Sequence, residues 1–120
     1  MMTTREGEVI WFEQLTRTDV GLVGGKNASL GEMVRHLGER GVAVPPGFAT
    51  AARAFWHFIE TNQLREVITT TLQDLQAGRI SLPEAGQTIR RAILRGEWPK
   101  DTAAAIRAAY QELCRRVGKT

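Results

Sequence analysis

Apolar residues recur at intervals of three and four along most of this chain, and glycines interrupt the pattern. Such spacing places apolar side chains on one face of an α-helix, and a glycine after the last periodic residue is a common helix stop. The pattern predicts a helix from Asn27 to about Arg40 that stops at Gly41, and another that stops at Gly78. Each helix is too short to be stable alone in water, so the apolar faces must be buried together.

Two more helices are predicted in the C-terminal half. The run Ser-Leu-Pro-Glu from Ser81 has the pattern of a capping box with proline in the first turn, which predicts a helix start. Gly96 then breaks the chain, and Pro99 can start a last helix that stops at Gly118. The predicted inner face of this last helix consists of Ile106, Ala109, Tyr110, Leu113 and Val117.

The N-terminal half carries mixed signals. The β-prone run Glu8–Phe12 predicts a first strand, and Phe48–Ala49 a short extended piece. Residues 16–25 are predicted as a loop, and Thr50 as the N-cap of a helix. The inner face of that helix would consist of Ala51, Phe55, Phe58 and Ile59. These elements predict an α+β fold that is mostly helical, with two or more short strands and four to five helices in a single domain spanning residues 1–120.

The composition is that of an ordinary globular protein, with 42% hydrophobic and 24% charged residues among 120. Cys114 is the single cysteine, which permits no internal disulfide and suits a reducing cytoplasm. The polar start MMTTREGEV predicts no signal peptide, and no apolar run approaches the roughly 20 residues of a membrane span. We therefore expect a cytoplasmic protein without a membrane partner.

Charge is distributed unevenly along the chain, whose net charge is +3. Residues 1–76 carry a net charge of −2, whereas residues 77–120 carry +5. A basic segment can attract nucleic acid or another polyanion. Here the basic residues are spread over helical faces with few aromatic residues between them, which favours solvated helix surfaces over nucleic-acid binding.

The segment with the clearest chemical meaning is Gly24-Gly25-Lys26 at the start of a predicted helix. Glycines let the backbone approach a ligand closely, a helix N-terminus favours anions, and the lysine adds a mobile cation. Together they suit a phosphate group, although a simple turn with a surface lysine explains the pattern equally well. The segment is not a Walker A loop, because Val20 occupies the first-glycine position and Asn27 follows the lysine.

Other reactive side chains are isolated in the sequence. His36 and His57 lack the spacing of a zinc site. We interpret His36 as a surface residue, His57 as a neighbour of an aromatic cluster, and Cys114 as a small packed side chain. No complete set of catalytic or metal-binding residues emerges, so none is assigned to this chain.

Three segments together carry a family resemblance: WFEQL, VGGKNASLGEM and GVAVPPGFATAARAF. With AGQTIRRAIL and AAIRAAYQEL, they resemble the N-terminal part of the phosphoenolpyruvate synthase (pyruvate, water dikinase) family along essentially the whole chain. Pyruvate phosphate dikinases and rifampicin phosphotransferases share the outline. Their loop usually reads closer to GGKGANL, so Asn27 and Ser29 look more like a synthase.

The resemblance implies the N-terminal subdomain of an ATP-grasp-type nucleotide-binding domain. In that family, ATP, pyruvate and water become AMP, phosphoenolpyruvate and phosphate through a phosphohistidine, a reaction of gluconeogenesis. Lys26 matches the lysine that contacts the ATP phosphates, and Gly24 and Gly25 match its supporting loop. ATP and Mg²⁺ are the implied cofactors of the complete enzyme, and its remaining ATP-grasp, phosphohistidine and pyruvate-binding domains are the implied partners.

By resemblance, this chain contains neither the catalytic histidine motif nor the acidic magnesium ligands of the family. We therefore expect the piece to be inactive alone and to bind ATP weakly or undetectably. A different class of function also stays open, a stand-alone helical interaction module that uses its basic C-terminal half on an acidic partner. Within the family, a rifampicin phosphotransferase or a dikinase remains an alternative to the synthase.

Overall fold

The computed structural model describes residues 7–118. The polar N-terminal segment, on which the prediction of no signal peptide was based, lies partly outside these residues. The described part is mostly helical, with two strands, which confirms an α+β class, but it has six helices where four to five were predicted. The strands are β1 (Val9–Trp11) and β2 (Phe48–Thr50), and the helices are α1 (Val20–Val23), α2 (Gly25–Glu39), α3 (Ala52–Thr61), α4 (Leu64–Gln76), α5 (Leu82–Arg95) and α6 (Lys100–Val117). Short 3₁₀ turns cover Phe12–Gln14 and Arg17–Asp19.

The chain divides into two compact units. The N-terminal unit comprises residues 7–55 and 100–118, and the helical unit comprises residues 56–99, so the division falls within α3. Each unit has its own hydrophobic core. In the N-terminal unit the core is formed by Ile10, Leu15 and Ala51, with Phe12 and Val23 packed against them. In the helical unit it is formed by Phe58, Ile59 and Leu64, with Ile68 and Ala92.

Strands β1 and β2 form an antiparallel pair in the N-terminal unit. Ile10 lies opposite Ala49, and Trp11 lies opposite Phe48. Both strands were predicted close to their observed positions, but Thr50 is not the helix N-cap that the sequence suggested. It is the last residue of β2 and pairs with Val9. Because the backbone of Thr50 belongs to the strand pair, α3 begins two residues later.

The predicted loop over residues 16–25 is wrong in part, because much of it is helical. Thr16 and Asp19 form a reciprocal cap. The Thr16 hydroxyl accepts a hydrogen bond from the Thr18 amide, and the Asp19 carboxylate accepts one from the Thr16 amide at 2.9 Å. This cap initiates a 3₁₀ turn that continues into α1. The spacing Thr-x-x-Asp was the signal in the sequence that indicated it.

The predicted helix stops are confirmed. Gly41 has φ of +78°, and hydrogen bonds from its amide to Gly38 and from the Val42 amide to Leu37 close a Schellman motif after α2. Gly78 and Gly118 likewise have positive φ after α4 and α6. Ser81 caps α5 by accepting a hydrogen bond from the Glu84 amide. A β-carbon at the positive-φ positions would strain the backbone, which explains glycine there.

Several residues predicted on inner faces are instead exposed. Phe55 is 51% exposed, Tyr110 is 61% exposed and Val117 is 46% exposed, although Ala109 on the same α6 face is buried. The prediction is wrong at these three positions for a common reason. Helical spacing shows which side chains share a face, whereas burial depends on which neighbouring elements cover that face.

Helix α6 is held to β1 within the N-terminal unit by polar and aromatic contacts. The fully buried Thr102 donates its hydroxyl to Glu8 at 2.8 Å. The Arg116 guanidinium lies 3.8 Å from the ring centre of Trp11 and bonds to Glu13 at 2.8 Å. A cation over an indole face contributes about 0.5–2 kcal/mol, so Arg116 anchors the last turns of α6.

We expect the stability contributed by Glu112 on α6 to disappear in acid. Hydrogen bonds from Arg115 and its positive charge, followed by a hydrogen bond from Arg116, hold the pKa of Glu112 at about 2, below its ordinary 4.5. A depressed pKa stabilises the fold above pH 4.5, and that contribution is lost as the pH falls towards 2. Thermal unfolding of the unaltered chain and of Glu112→Gln should differ near pH 6 and converge near pH 2. A difference that stayed constant over this range would contradict the assignment.

Candidate functional site

The candidate site begins at Gly24, where α1 meets α2. Gly24 has φ of +86° and ψ of 162°, a conformation that residues with a β-carbon rarely adopt. Its amide donates to Val20 at 2.8 Å and its carbonyl accepts from Ala28 at 3.1 Å. The residue therefore ends one helix and starts the next, and a substitution would strain the connection.

Gly25 is the first residue of α2 and is not required by the fold in the same way. Its φ is not positive, and a β-carbon built on it would meet nothing within 4 Å. Glycine at a helix position costs up to about 1 kcal/mol relative to alanine. Neither backbone conformation nor a described neighbour accounts for this cost. An approaching ligand would account for it, since the missing side chain leaves the backbone amide open.

The N-terminus of α2 is uncapped by side chains. Gly24 is the N-cap residue and offers no oxygen, so no side-chain hydrogen bond caps this helix. The first intrahelical donor is the Ala28 amide. The amides before it therefore have no carbonyl partner inside the helix, and they give its N-terminus a positive partial charge. Lys26, the second helical residue, is exposed and adds a full positive charge.

The structure thus places Gly24, Gly25 and Lys26 together at one helix start. An uncapped N-terminus with an exposed lysine is an arrangement that suits phosphate or another anion. Sequence reasoning found these three residues but missed Asn27. Its side-chain amide donates to the Val23 carbonyl at 2.9 Å, across the two glycines. An amide residue three positions after a glycine N-cap was the signal for it.

Helix α2 is seated closely on the chain before it. Gly31 is buried, and a β-carbon there would lie 2.5 Å from the Leu15 β-carbon. Glu32 accepts a hydrogen bond from the Arg17 amide at 2.7 Å, which together with His36 lowers its pKa. These contacts fix α2 against the turn formed by residues 12–19, and so fix the direction in which its N-terminus points.

The remaining reactive side chains lie apart from this helix start. His36 is exposed, three turns along α2, with Nε2 2.8 Å from the Glu32 carboxylate. His57 is half-buried on α3, and Cys114 is a half-buried free thiol on α6. Among residues 7–118 no group of three or more His, Cys, Asp or Glu side chains could hold a metal ion. No helix in that range is both long and apolar enough to cross a membrane.

Comparison with known proteins shows that this helix start lies in a segment matched by a protein family. The family described as pyruvate phosphate dikinase, AMP/ATP-binding domain, matches residues 20–120, which include all of α2. The chain is also similar to three proteins named phosphoenolpyruvate synthase. The identities are 42% over 112 residues for Synechocystis, 46% over 111 for Neisseria meningitidis and 42% over 106 for Escherichia coli.

These relatives are much longer than the present chain. The alignments cover 92% of this chain for Synechocystis and Neisseria and 88% for Escherichia coli. They cover only 14%, 14% and 13% of the respective relatives. The similarity therefore concerns one segment of those enzymes. Since the family match extends over most of the sequence, the chain belongs to the pyruvate phosphate dikinase AMP/ATP-binding domain family.

Proposed function

We propose that this chain supplies a phosphate-contacting segment of the ATP-binding domain in an enzyme of the phosphoenolpyruvate synthase type. The proposed reaction converts ATP, pyruvate and water to AMP, phosphoenolpyruvate and phosphate through a phosphohistidine. The observation that carries the proposal is the exposed Lys26 at the uncapped, glycine-led start of α2, inside the region that matches the family. Names of the relatives favour a synthase over a rifampicin phosphotransferase or a dikinase.

In this proposal Lys26 contacts the β- and γ-phosphates of ATP. Its charge offsets the anionic oxygens and stabilises the charge that develops during phosphoryl transfer. The first-turn amides of α2 donate hydrogen bonds to further phosphate oxygens, aided by the helix dipole. Gly24 supports the positive-φ connection between α1 and α2, and Gly25 lets the phosphates approach because no β-carbon intervenes.

The finer features of the enzyme are proposed by family resemblance. They are an ATP-grasp architecture, a Mg²⁺ cofactor, a cytoplasmic location, and partner domains that bear the phosphohistidine and bind pyruvate. Residues 7–118 contain no group of three or more His, Cys, Asp or Glu side chains suited to a metal. In this proposal the Mg²⁺ ligands and the phosphohistidine lie in other parts of the enzyme, and this segment contributes Lys26 and the start of α2.

The alternative of a basic interaction module receives less support. Several arginines of the C-terminal half are paired with carboxylates within their own unit, which reduces the charge they offer to an acidic partner. Arg79 bonds to Asp74 at 3.0 Å, Arg115 bonds to Glu112, and Arg116 bonds to Glu13. The structure thus accounts for part of the arginine content through internal contacts.

The direct test is a nuclear magnetic resonance titration of the ¹⁵N-labelled chain with ATP. We expect weak binding, of the order of millimolar dissociation constants, because one lysine and a helix N-terminus supply only a few charge-assisted contacts. Amide shifts should concentrate on Gly24, Gly25 and Lys26. Lys26→Ala should weaken binding about tenfold, the effect of a lost hydrogen bond between charged groups.

Lys100 provides the matched control. It is also an exposed lysine at the start of a helix, α6, but Pro99 precedes it instead of a glycine pair. Lys100→Ala should leave the ATP titration unchanged. Shifts that spread over other surfaces, or equal effects of the two substitutions, would contradict a phosphate site at Lys26.

A further inference from the structure

The side chain of Asn27 makes a contact that spans the glycine pair. Its Nδ2 donates a hydrogen bond of 2.9 Å to the carbonyl oxygen of Val23, the last residue of α1. Asn27 is half-buried and lies in the first turn of α2. The contact therefore connects the end of one helix to the start of the next and bypasses Gly24 and Gly25.

Two consecutive glycines are the most flexible connection that a chain can have. Fixing their backbone costs more conformational entropy than fixing any other residue pair. The hydrogen bond from Asn27 restrains both of them at once, because it closes a ring from Val23 to Asn27 around them. It also supplies a partner for the Val23 carbonyl, one of the acceptors that the end of α1 leaves without a helical donor.

The direction of this hydrogen bond distinguishes it from an ordinary cap. A Ser, Thr, Asp or Asn at the N-cap position accepts from the first-turn amides and so occupies donors that an anion could use. Here the N-cap is Gly24, which has no side chain, and Asn27 donates instead of accepting. The connection is ordered without using any amide of the α2 N-terminus.

We infer that Asn27 is a positioning residue for the phosphate site: it holds the Gly24–Gly25 hinge so that the free amides of α2 and the Lys26 stem share one direction. This inference rests on the proposed function, since positioning has a meaning only if a phosphate binds there. In this role Asn27 acts on the site through the hinge, because one of its two side-chain N–H groups is held by the Val23 carbonyl.

The test uses the full chain, labelled with ¹⁵N, and inorganic tripolyphosphate as the probe. Asn27→Ala removes the donor, and Asn27→Ser restores one, because a serine hydroxyl can donate to a neighbouring backbone carbonyl. We expect Asn27→Ala to weaken tripolyphosphate binding about fivefold, the effect of one net hydrogen bond. Asn27→Ser should stay within about twofold of the unaltered chain.

A second readout separates positioning from general stability. The ¹H–¹⁵N heteronuclear Overhauser effect of the Gly24 and Gly25 amides should fall in Asn27→Ala and recover in Asn27→Ser, because it reports backbone motion on the ps–ns timescale. A purely structural role would lower the urea midpoint of Asn27→Ala while the folded molecules kept the order of these amides and their affinity.

The outcomes test the positioning role of Asn27 separately from the phosphate site at Lys26. If Lys26→Ala weakens tripolyphosphate binding while Asn27→Ala changes neither affinity nor glycine order, the role of Asn27 is overturned and the phosphate site stands. If the unaltered chain shows no shifts at millimolar tripolyphosphate, the phosphate site is overturned, and the positioning role with it. If Asn27→Ala loses tripolyphosphate affinity and glycine order, and Asn27→Ser recovers them, the result supports both the phosphate site and the positioning role.

Discussion

Lys26→Ala is expected to lower phosphoenolpyruvate formation about 100- to 1000-fold when this chain replaces the matching segment of a full-length relative, the effect of removing one preorganised electrostatic contact. The recipient is the Synechocystis phosphoenolpyruvate synthase, which is 42% identical to this chain over 112 residues. A lysine that stabilises charge on the transferring phosphoryl group acts on the reaction barrier, so kcat should fall with kcat/KM. Steady-state assays with ATP and pyruvate measure both constants.

The reference is the chimera with Lys26 intact, and Lys100→Ala in the same chimera is the matched control. Lys100 starts α6 as an exposed residue without a preceding glycine pair, so its loss should change the rate less than about twofold, as expected of a surface charge. Near-normal activity of the Lys26→Ala chimera would remove Lys26 from phosphate contact. A rise in KM with kcat unchanged would assign it to binding alone.

Local signals in the sequence predicted the helix ends well. Gly41 and Gly78 end their helices with positive φ, and Ser81 caps α5 through the Glu84 amide. Such features depend on a few neighbouring residues, whose steric limits and hydrogen-bond capacity are the same in any fold. The same reasoning could have found the Thr16 cap, because its spacing to Asp19 is equally local.

Features that depend on distant parts of the chain could not be predicted in this way. Thr50 has the side chain of an N-cap, but its backbone pairs with Val9, which is 41 positions earlier. Tyr110 and Val117 follow the helical period of α6 and are nevertheless exposed. Strand pairing and burial are set by which elements meet, and an apolar period within one helix contains no information about its neighbours.

The candidate site, too, was predicted in part from the sequence and in part seen only in the structure. Lys26 and its glycines were identified from residue types and resemblance, and the structure adds why Gly24 and Gly25 differ. Gly24 is required by its left-handed φ, whereas nothing within 4 Å restricts Gly25. The hydrogen bond of Asn27 could not be predicted from the sequence, since an asparagine in a first helical turn can donate, accept or face water.

Gly31→Ala is expected to destabilise the chain by about 2–3 kcal/mol, the upper part of the range for overpacking a filled site. The new β-carbon would lie 2.5 Å from the Leu15 β-carbon and 2.9 Å from the Leu15 carbonyl oxygen. Leu15 cannot move away cheaply, because its side chain is fully buried and its carbonyl accepts a hydrogen bond from Arg35 at 3.1 Å. Urea unfolding followed by circular dichroism measures the loss.

Gly38→Ala supplies the matched control in the same helix. A β-carbon at Gly38 meets nothing within 4 Å, so this substitution should stabilise α2 by about 0.5 kcal/mol through the better helix propensity of alanine. If the free energy of unfolding falls in Gly31→Ala and rises in Gly38→Ala, contact with Leu15, and not helix propensity, decides the effect at Gly31. If Gly31→Ala were as stable as Gly38→Ala, α2 could not be seated on the turn at residues 12–19 as closely as described. The direction of the Lys26 helix start would then lack this support.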